Sequence, residues 1–470
     1  MRVMPDVPLH FKTITEIATL IRTKQVSPVE VTQAMLDRIQ RLDGRYRSYA
    51  TVMADSAMAS ARTVEAEIAA GRYLGALHGV PIAVKDLCFT KGVPTMGGTP
   101  VLRDHVPGFD STVTARLAAA GSVLLGKLNL TEGAMAGYHP EFQIPVNPWD
   151  AQRWTGVSSS GSGVATAAGL CFGSLGSDTG GSIRFPAAAC GVVGLKPTWG
   201  RVSRYGVLAL AESMDHVGPM TRSSADAAIM LQAIGGHDPN DPTSLPGPMP
   251  DIVSGLDQSI SGVRVGLDES YVTDDVDTQV AQAVLAGVAV LKDLGAEIVP
   301  VRMPDTRGYV AAWAVLCPAE AVAAHHSTYP ARQDEYGPWF RGWLDLGAEV
   351  TGSVYAQANN VRAACNGLLR AIFEDIDVLV CPSMTTLPGR VTPQELCAPM
   401  TGEDDFLWGR FTVPFDFNGA PTISLPCGLS SEGLPLSIQF VGKPLDEPLL
   451  CRLGHAYEQA TQWHQLRPDV

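Results

Sequence analysis

The sequence predicts an α/β protein built as one large domain. Helical and strand-like segments alternate along most of its 470 residues, which is typical of α/β sheets. Apolar residues make up 46% of the chain and charged residues only 17%, so a large buried core can form and disorder is excluded. No repeat or change in composition divides residues 1–470. Within them we distinguish a helical part (1–75), a core with a Ser/Gly-rich segment (76–235) and a part that completes the sheet and a pocket (236–470).

Elements of both kinds are visible in the first part of the chain. The sequence SPVE at 27–30 is a capping box with Pro at the first helical position, and an apolar stripe follows it, so it predicts the start of a helix. A second helix is predicted over residues 55–71. The apolar run GVPIAVKD at 79–86 has the length of a buried strand, and residues 111–129 are typical of a helix followed by a strand.

The alternation continues after a turn-rich segment. Gly, Pro and Asp are frequent in residues 236–250, which predicts a surface loop. The segments beyond it predict a strand at 262–268, a capped helix at 277–294, a strand at 296–304, a helix and strand within 361–384, and a strand and a final helix at 420–428 and 451–464.

The charge balance restricts the partners of the protein. Lys and Arg number 34 and Asp and Glu 48, so the net charge is −14, which disfavours binding to nucleic acid or to an anionic membrane. The first residues lack the apolar run of a signal peptide, and no stretch is long and apolar enough to span a membrane. We therefore expect a cytoplasmic protein that acts on a small molecule.

Several common functional sites are excluded by the residues present. The nine Cys are scattered without a CxxC pair, so we expect buried, reduced thiols rather than a zinc or redox site. HExxH and GxSxG are absent, as is an SxxK arrangement. GSVLLGKL at 121–128 has Leu128 where a phosphate-binding loop needs a hydroxyl, and GSGVAT at 161–166 lacks the third Gly of a dinucleotide site. Neither a metal nor a cofactor is predicted.

The chemistry is expected in the Ser/Gly-rich segment at 155–204. SSSGSG alone is typical of a flexible linker, but small apolar residues at 164–170 follow it and predict a tightly packed helix. Gly180 and Gly181 precede Ser182, and glycines allow successive backbone amides to point at one oxyanion. The segment therefore indicates a nucleophilic serine beside an anion-binding loop.

A serine nucleophile needs a base, and no His lies in or near this segment. Lys85 ends the apolar run at 80–84, so its stem would be buried and its amine would lie at the edge of a sheet. Burial lowers the pKa of a lysine from about 10.4 toward 7 to 8, which makes the neutral amine available as a base. By itself Lys85 would be an ordinary exposed lysine at a strand end; the serine segment favours the catalytic interpretation.

At this point the sequence resembles the amidase signature family. GVSSSGS and SDTGGSIRFPAAACGVVGLKPTWGRVSR, both within residues 154–204, match the family signature, and GVPIAVKD, DVLVCPSM and GAPTISLPCG match other segments. The resemblance implies a twisted mixed β-sheet covered by helices on both faces, with no cofactor. The resemblance is compatible with a homodimer but does not determine the oligomeric state. Val157 stands where the family commonly has Gly, which puts the local loop geometry in question.

The resemblance also implies roles for individual residues. Ser182 would be the nucleophile, Ser158 a bridging serine after a cis peptide bond from Val157, and Lys85 the base. Ser159 would support the Lys85 amine. The amides of the loop would form the oxyanion hole, contributed by Thr179, Gly180, Gly181 and Ser182.

Other residues have two interpretations each. Asp178 and Arg184 flank the loop, and we expect a buried ion pair rather than direct catalysis. Tyr138 and His139 either line the pocket or pack in the core. The aromatic clusters at 338–343 and 406–417 either form an apolar pocket or belong to the core.

The predicted activity is hydrolysis of C–N bonds through an acyl-enzyme. An apolar pocket favours aryl or alkyl amides, anilides or carbamates as substrates, with water as the second reactant. Two alternatives stay open: a glutaminase-type component of a tRNA-dependent amidotransferase, which shares the triad, and a non-catalytic binding or scaffold protein that keeps the fold.

Overall fold

An eleven-stranded mixed β-sheet runs through the protein in the computed structural model, which describes residues 7–401 and 406–470. The strands are β1 (Tyr49–Val52), β2 (Pro81–Lys85), β3 (Val123–Leu128), β4 (Gly173–Asp178), β5 (Val193–Lys196), β6 (His216–Thr221), β7 (Arg264–Leu267), β8 (Glu297–Pro300), β9 (Val378–Pro382), β10 (Thr422–Leu429) and β11 (Pro435–Gly442). Their order in the sheet is β1-β3-β2-β4-β6-β5-β10-β11-β9-β7-β8.

Helices flank this sheet. They are α1 (Ile14–Arg22), α2 (Pro28–Tyr46), α3 (Ala54–Ala69), α4 (Thr112–Ala119), α5 (Ser160–Ala167), α6 (Arg184–Cys190), α7 (Ser224–Ile234), α8 (Glu269–Thr273), α9 (Thr278–Asp293), α10 (Arg307–Ala324), α11 (Pro338–Ala348), α12 (Gly352–Asp375), α13 (Pro393–Leu396), α14 (Val413–Phe417) and α15 (Glu447–Ala460). The predicted single α/β domain with a mixed sheet is confirmed.

The direction of the strands determines at which edge of the sheet the candidate site residues lie. Strands β2, β3 and β4 run parallel to one another, and β7, β8 and β9 form a second parallel group. Antiparallel pairs join the two groups through β6, β5, β10 and β11. Because β2 and β4 are parallel neighbours, their last residues, Lys85 and Asp178, lie at the same edge of the sheet.

The local signals identified most of these elements. The capping box before α2 is present, with Ser27 accepting from the Glu30 amide and the Glu30 carboxylate accepting from the Ser27 amide. Asp277 caps α9 by accepting from the Gln279 amide at 2.8 Å. Residues 236–250 contain neither helix nor strand, as predicted for a loop.

Three predicted helices have the wrong bounds, and one of them, predicted within residues 361–384, already begins at Gly352. The helix expected at 164–170 begins earlier, at Ser160, and ends at Ala167, before Gly169 with φ of 66°. Its first turn contains Ser and Gly, which form helices poorly, but tight packing requires them: a Cβ at Gly161 would lie 2.6 Å from the Ser48 carbonyl oxygen. The final helix spans Glu447–Ala460 instead of residues 451–464.

The cysteines behave as expected from their scatter. All nine carry free thiols; eight are buried and Cys397 is partly exposed. Among the described residues, no helix combines the length and apolar character that crossing a membrane would require.

Candidate active site

The Lys85 amine is buried among serine hydroxyls at the end of β2. Its Nζ lies 2.6 Å from Ser158 Oγ, 2.9 Å from Ser159 Oγ and 2.9 Å from Ser177 Oγ, and the side chain is 0% exposed. Burial lowers the pKa of Lys85 to about 7, because the low-dielectric interior disfavours the ammonium form and the charges of Asp178 and Asp215 offset this only in part. Near neutral pH a large fraction of this amine is unprotonated.

The neighbouring hydroxyls determine which serine can give a proton to that amine. Ser159 Oγ donates its own hydrogen to the Ser177 carbonyl at 3.1 Å and accepts from the Ser177 amide at 3.2 Å. Its hydrogen is therefore engaged, and toward Lys85 it acts as an acceptor. The Ser158 hydroxyl has no such competing acceptor among the described residues, so it is free to donate to a neutral Lys85 amine.

Ser158 and Ser182 lie next to each other through the backbone. The peptide bond between Val157 and Ser158 is cis, as the resemblance implies, and Val157 accommodates this geometry. The Ser159 amide donates to the Ser182 carbonyl at 3.2 Å. Within the described part of the chain, no hydrogen bond joins Ser158 Oγ to Ser182 Oγ, so Lys85 and Ser158 are linked whereas Ser158 and Ser182 are not.

The loop that leads into Ser182 presents fewer free amides than predicted. The Gly181 amide donates to Asp178 Oδ1 at 2.7 Å, so it is engaged in this arrangement and its contribution to an oxyanion hole stays a prediction. The reason is the Asp178 carboxylate, which also accepts from the Ile183 amide at 2.9 Å. The amides of Thr179, Gly180 and Ser182 have no acceptor within the residues that the structure describes.

Asp178 and Arg184 form a buried ion pair. Arg184 donates to both Asp178 oxygens, at 2.8 and 3.0 Å, to Asp416 at 2.6 Å and to the Thr412 carbonyl at 2.9 Å. Burial by itself raises the pKa of Asp178, but the charge and hydrogen bonds of Arg184 outweigh burial and hold it below its usual value. The pair holds the loop in place and makes no hydrogen bond to Lys85, Ser158 or Ser182 in the described chain.

A small cavity of about 10 Å³ adjoins Ser182, whose side chain is 9% exposed. This is close to the minimum volume for one water molecule. Among the described residues its lining contains no charged side chain, and consists of Met135, Ala136, Val157, Thr179, Gly180, Ser182, Phe185, Leu210, Trp313 and Trp408. The surroundings of the Ser182 hydroxyl are therefore apolar and uncharged, with room for about one water molecule.

The aromatic clusters contribute to this cavity only in part. Trp408, from the cluster at 406–417, lines it, and its ring centroid lies 5.2 Å from that of Phe185. Phe340 and Trp343, from the cluster at 338–343, are fully buried in the core instead. The core interpretation therefore holds for these two residues of the 338–343 cluster.

Tyr138 and His139 are not among the residues that line the cavity beside Ser182, and their role in a substrate pocket stays a prediction. Tyr138 is buried and its hydroxyl donates to Ser160 Oγ at 2.8 Å, at the start of α5. His139 Nδ1 accepts from the Glu141 amide at 3.1 Å, and its ring packs edge-on against Phe142. Both side chains stabilise the local structure.

Three residues at the site were missed by the sequence analysis. Ser177 contacts the Lys85 amine, Trp313 donates from Nε1 to the Thr179 carbonyl at 2.9 Å, and Asp416 pairs with Arg184. Ser177 lies within the Ser/Gly-rich segment at 155–204, on the strand residue directly before Asp178. Trp313 and Asp416 are more than 100 residues away in sequence, and no local pattern connects them to the loop. Within the described residues, no group of three or more His, Cys, Asp or Glu is arranged to hold a metal ion.

Comparison with known proteins gives a family for this chain. The amidase family profile matches residues 30–451. "Putative amidase AmiD" of Mycobacterium tuberculosis (strain ATCC 25618 / H37Rv) is 50% identical over 463 residues, which cover 97% of this chain and 96% of that protein. A component of the glutamyl-tRNA(Gln) amidotransferase of Cyanothece sp. (strain PCC 7425 / ATCC 29141) is 39% identical and covers 97% of this chain and 99% of that protein.

A solved structure agrees with these relatives. It is a bacterial aryl acylamidase described as belonging to the amidase signature enzymes family, and it superposes with a TM-score of 0.87 at 27% identity, covering 98% of this chain and 99% of that one. The family profile and both relatives span nearly the whole sequence. The chain therefore belongs to the amidase signature family and is a hydrolase of amide C–N bonds.

Proposed function

We propose that the protein hydrolyses small, neutral amides through an acyl-enzyme on Ser182, with Ser158 as proton relay and Lys85 as base. The observation that carries the proposal is the Lys85 amine: it is fully buried, has a pKa of about 7 and lies 2.6 Å from Ser158 Oγ. A buried lysine without a carboxylate hydrogen-bond partner is costly to the fold, and its neutral form is suited to general-base catalysis.

The reaction begins with transfer of a proton away from Ser182. As Ser182 Oγ attacks the substrate carbonyl, its proton passes to Ser158 Oγ, and the Ser158 proton passes to Lys85 Nζ. This transfer needs the Ser182 hydroxyl within hydrogen-bond reach of Ser158 Oγ in the substrate complex. The Gly180 and Ser182 amides stabilise the negative charge on the carbonyl oxygen.

The second half of the cycle reverses the relay. Lys85 returns a proton through Ser158 to the substrate nitrogen as the C–N bond breaks, and the acyl group remains as an ester on Ser182. A water molecule then attacks this ester and gives its proton to the same relay. The ester C–O bond breaks, the carboxylic acid leaves, and the Ser182 hydroxyl is restored.

The cavity lining supports an apolar substrate. Aromatic and aliphatic side chains surround Ser182, and a charged substrate group would be desolvated there without a partner of opposite charge among the described lining residues. We therefore propose aryl or alkyl amides, anilides or carbamates as substrates, because each presents a neutral carbonyl next to an apolar group.

The test combines covalent labelling with matched variants. A fluorophosphonate probe should label the wild type at Ser182, as read by peptide mass spectrometry, and hydrolysis of an anilide should fall by several orders of magnitude in Ser182→Ala and Lys85→Met. Ser162→Ala is the control, because Ser162 is a buried serine of α5 that donates to the Leu175 carbonyl at 2.9 Å, away from Lys85. Turnover by Ser182→Ala at the wild-type rate would refute the proposal.

A second candidate function is glutamine hydrolysis for a tRNA-dependent amidotransferase. It is favoured by the 39% identity to a protein named as a component of such an enzyme. Glutamine carries an ammonium and a carboxylate, which need charged partners beside the nucleophile. We expect the purified single chain to prefer an anilide, a carbamate or a p-nitrophenyl ester over glutamine. A higher kcat/KM for glutamine would favour the amidotransferase role instead.

A further inference from the structure

The loop between β4 and Ser182 is held from outside by an aromatic side chain on α10. Trp313 donates from its indole Nε1 to the Thr179 carbonyl at 2.9 Å, and it is 2% exposed. We propose that Trp313 is a positioning residue that fixes the direction of the Gly180 amide toward the substrate oxyanion. The inference rests on the proposed function and adds to it a residue that lies 134 positions away in sequence.

The argument depends on the planarity of one peptide unit. The Thr179 carbonyl and the Gly180 amide belong to the same planar group, in which C=O and N–H point in opposite directions. A hydrogen bond that holds the Thr179 oxygen toward Trp313 therefore holds the Gly180 N–H away from it. Glycine at 180 imposes little restriction on this peptide by itself, so the orientation must come from an external contact.

Other contacts hold the neighbouring peptide units. The Gly180 carbonyl accepts from Thr412 Oγ1 at 2.6 Å, while the Gly181 amide in the same unit donates to Asp178. The Gly181 carbonyl accepts from the Phe185 amide at 2.7 Å, which directs the Ser182 N–H the other way. Within the described chain, Trp313 is the side chain that holds the peptide unit formed by the Thr179 carbonyl and the Gly180 amide.

Packing keeps the indole itself in one position. A Cβ on Gly180 would lie 2.7 Å from the Trp313 ring, so the ring is in direct contact with the loop backbone. Ring centroids of Trp343, Phe406 and Trp408 lie 5.7, 6.0 and 6.0 Å from that of Trp313. Trp313 also lines the cavity beside Ser182, so in the proposed function the same side chain would lie beside the substrate and orient the amide.

The experiment removes the indole N–H and keeps an aromatic ring. Trp313→Phe should lower kcat for an anilide by about 10- to 30-fold, less than the 10²- to 10³-fold loss typical of deleting an oxyanion donor outright. Trp343→Phe is the matched control, because Trp343 is fully buried beside Trp313 and its Nε1 donates to no atom of the loop in the described chain. We expect its kcat to stay within about threefold of wild type.

The readout must separate positioning from general loss of packing. A peptidyl or aryl trifluoromethyl ketone forms a tetrahedral oxyanion with a nucleophilic serine, so its Ki should rise in Trp313→Phe by the factor by which kcat/KM falls, while KM changes little. Equal losses in Trp313→Phe and Trp343→Phe, or a loss confined to KM, would refute the inference. The proposed function would fail separately, through turnover by Ser182→Ala.

A second replacement covers the case in which Trp313→Phe does not fold. Site-specific incorporation of benzothienylalanine at position 313 keeps the size and shape of the indole and replaces the N–H with sulfur, which cannot donate. The same loss of kcat with an unchanged melting temperature supports the inference. A kcat equal to that of wild type overturns it.

Discussion

The pH dependence of hydrolysis follows from the environment of Lys85. In the proposed mechanism the neutral amine is active, so kcat/KM should rise with pH as Lys85 loses its proton. With a pKa of about 7, roughly one tenth of the amine is neutral at pH 6, one half at pH 7 and nine tenths at pH 8. Between pH 5 and pH 8, kcat/KM for an uncharged anilide should therefore increase about 90-fold and then level off.

A variant tests whether this inflection belongs to Lys85. Asp215 is partly buried, accepts from Thr179 Oγ1 at 2.6 Å and has a pKa raised by burial to about 6, so above that pH its charge stabilises the Lys85 ammonium. Asp215→Asn keeps an oxygen acceptor and removes the charge. The pKa of Lys85 should fall, and the rising limb of the profile should move to lower pH.

The assay is kcat/KM at low substrate concentration in a buffer series of constant ionic strength, with circular dichroism at each pH to show that the fold is retained. A profile that is flat from pH 5 to 9, or one whose inflection lies near the ordinary lysine value of about 10.4, would contradict the assignment of Lys85 as the base. So would an Asp215→Asn profile that moves to higher pH.

Two further predictions concern the surroundings of Ser182. Arg184→Met should lower the free energy of unfolding by about 3 to 5 kcal/mol in urea titrations, because it leaves the carboxylates of Asp178 and Asp416 buried without their cation; a loss below about 1 kcal/mol would show that the pair is dispensable. Trp408→Ala should enlarge the cavity and raise kcat/KM for amides with bulky acyl or aryl groups relative to acetamide; an unchanged ratio would mean that the substrate does not reach this wall.

Local sequence signals predicted helix starts well where the residues that interact are close together in the sequence. The capping box at Ser27 and the cap at Asp277 mark helix starts because their partners lie two or three residues away. The start of α5 was misplaced because its Ser and Gly residues disfavour a helix in isolation, whereas burial against Ser48 and Asn129 favours small residues there.

In the candidate site, too, sequence signals do not reveal contacts that depend on side-chain conformation or on distant residues. The residues that resemblance identified, Lys85 and Ser158 among them, do meet in the structure. The hydrogen bond from the Gly181 amide to Asp178 was not predicted, because it depends on a side-chain conformation that no spacing rule contains. Trp313 could not be found because its hydrogen bond to Thr179 is made only after α10 packs on the loop.

The Arg184 guanidinium has a consequence for how the enzyme is synthesised. It fastens the glycine loop to Asp416 and to the Thr412 carbonyl, which lie 232 and 228 residues further along the chain. Until the ribosome has synthesised and released that segment, Arg184 of the nascent chain cannot pair with the Asp416 carboxylate in the protein interior. The enzyme therefore acquires its reactive centre late in translation, and chains that terminate prematurely before residue 412 should be inert.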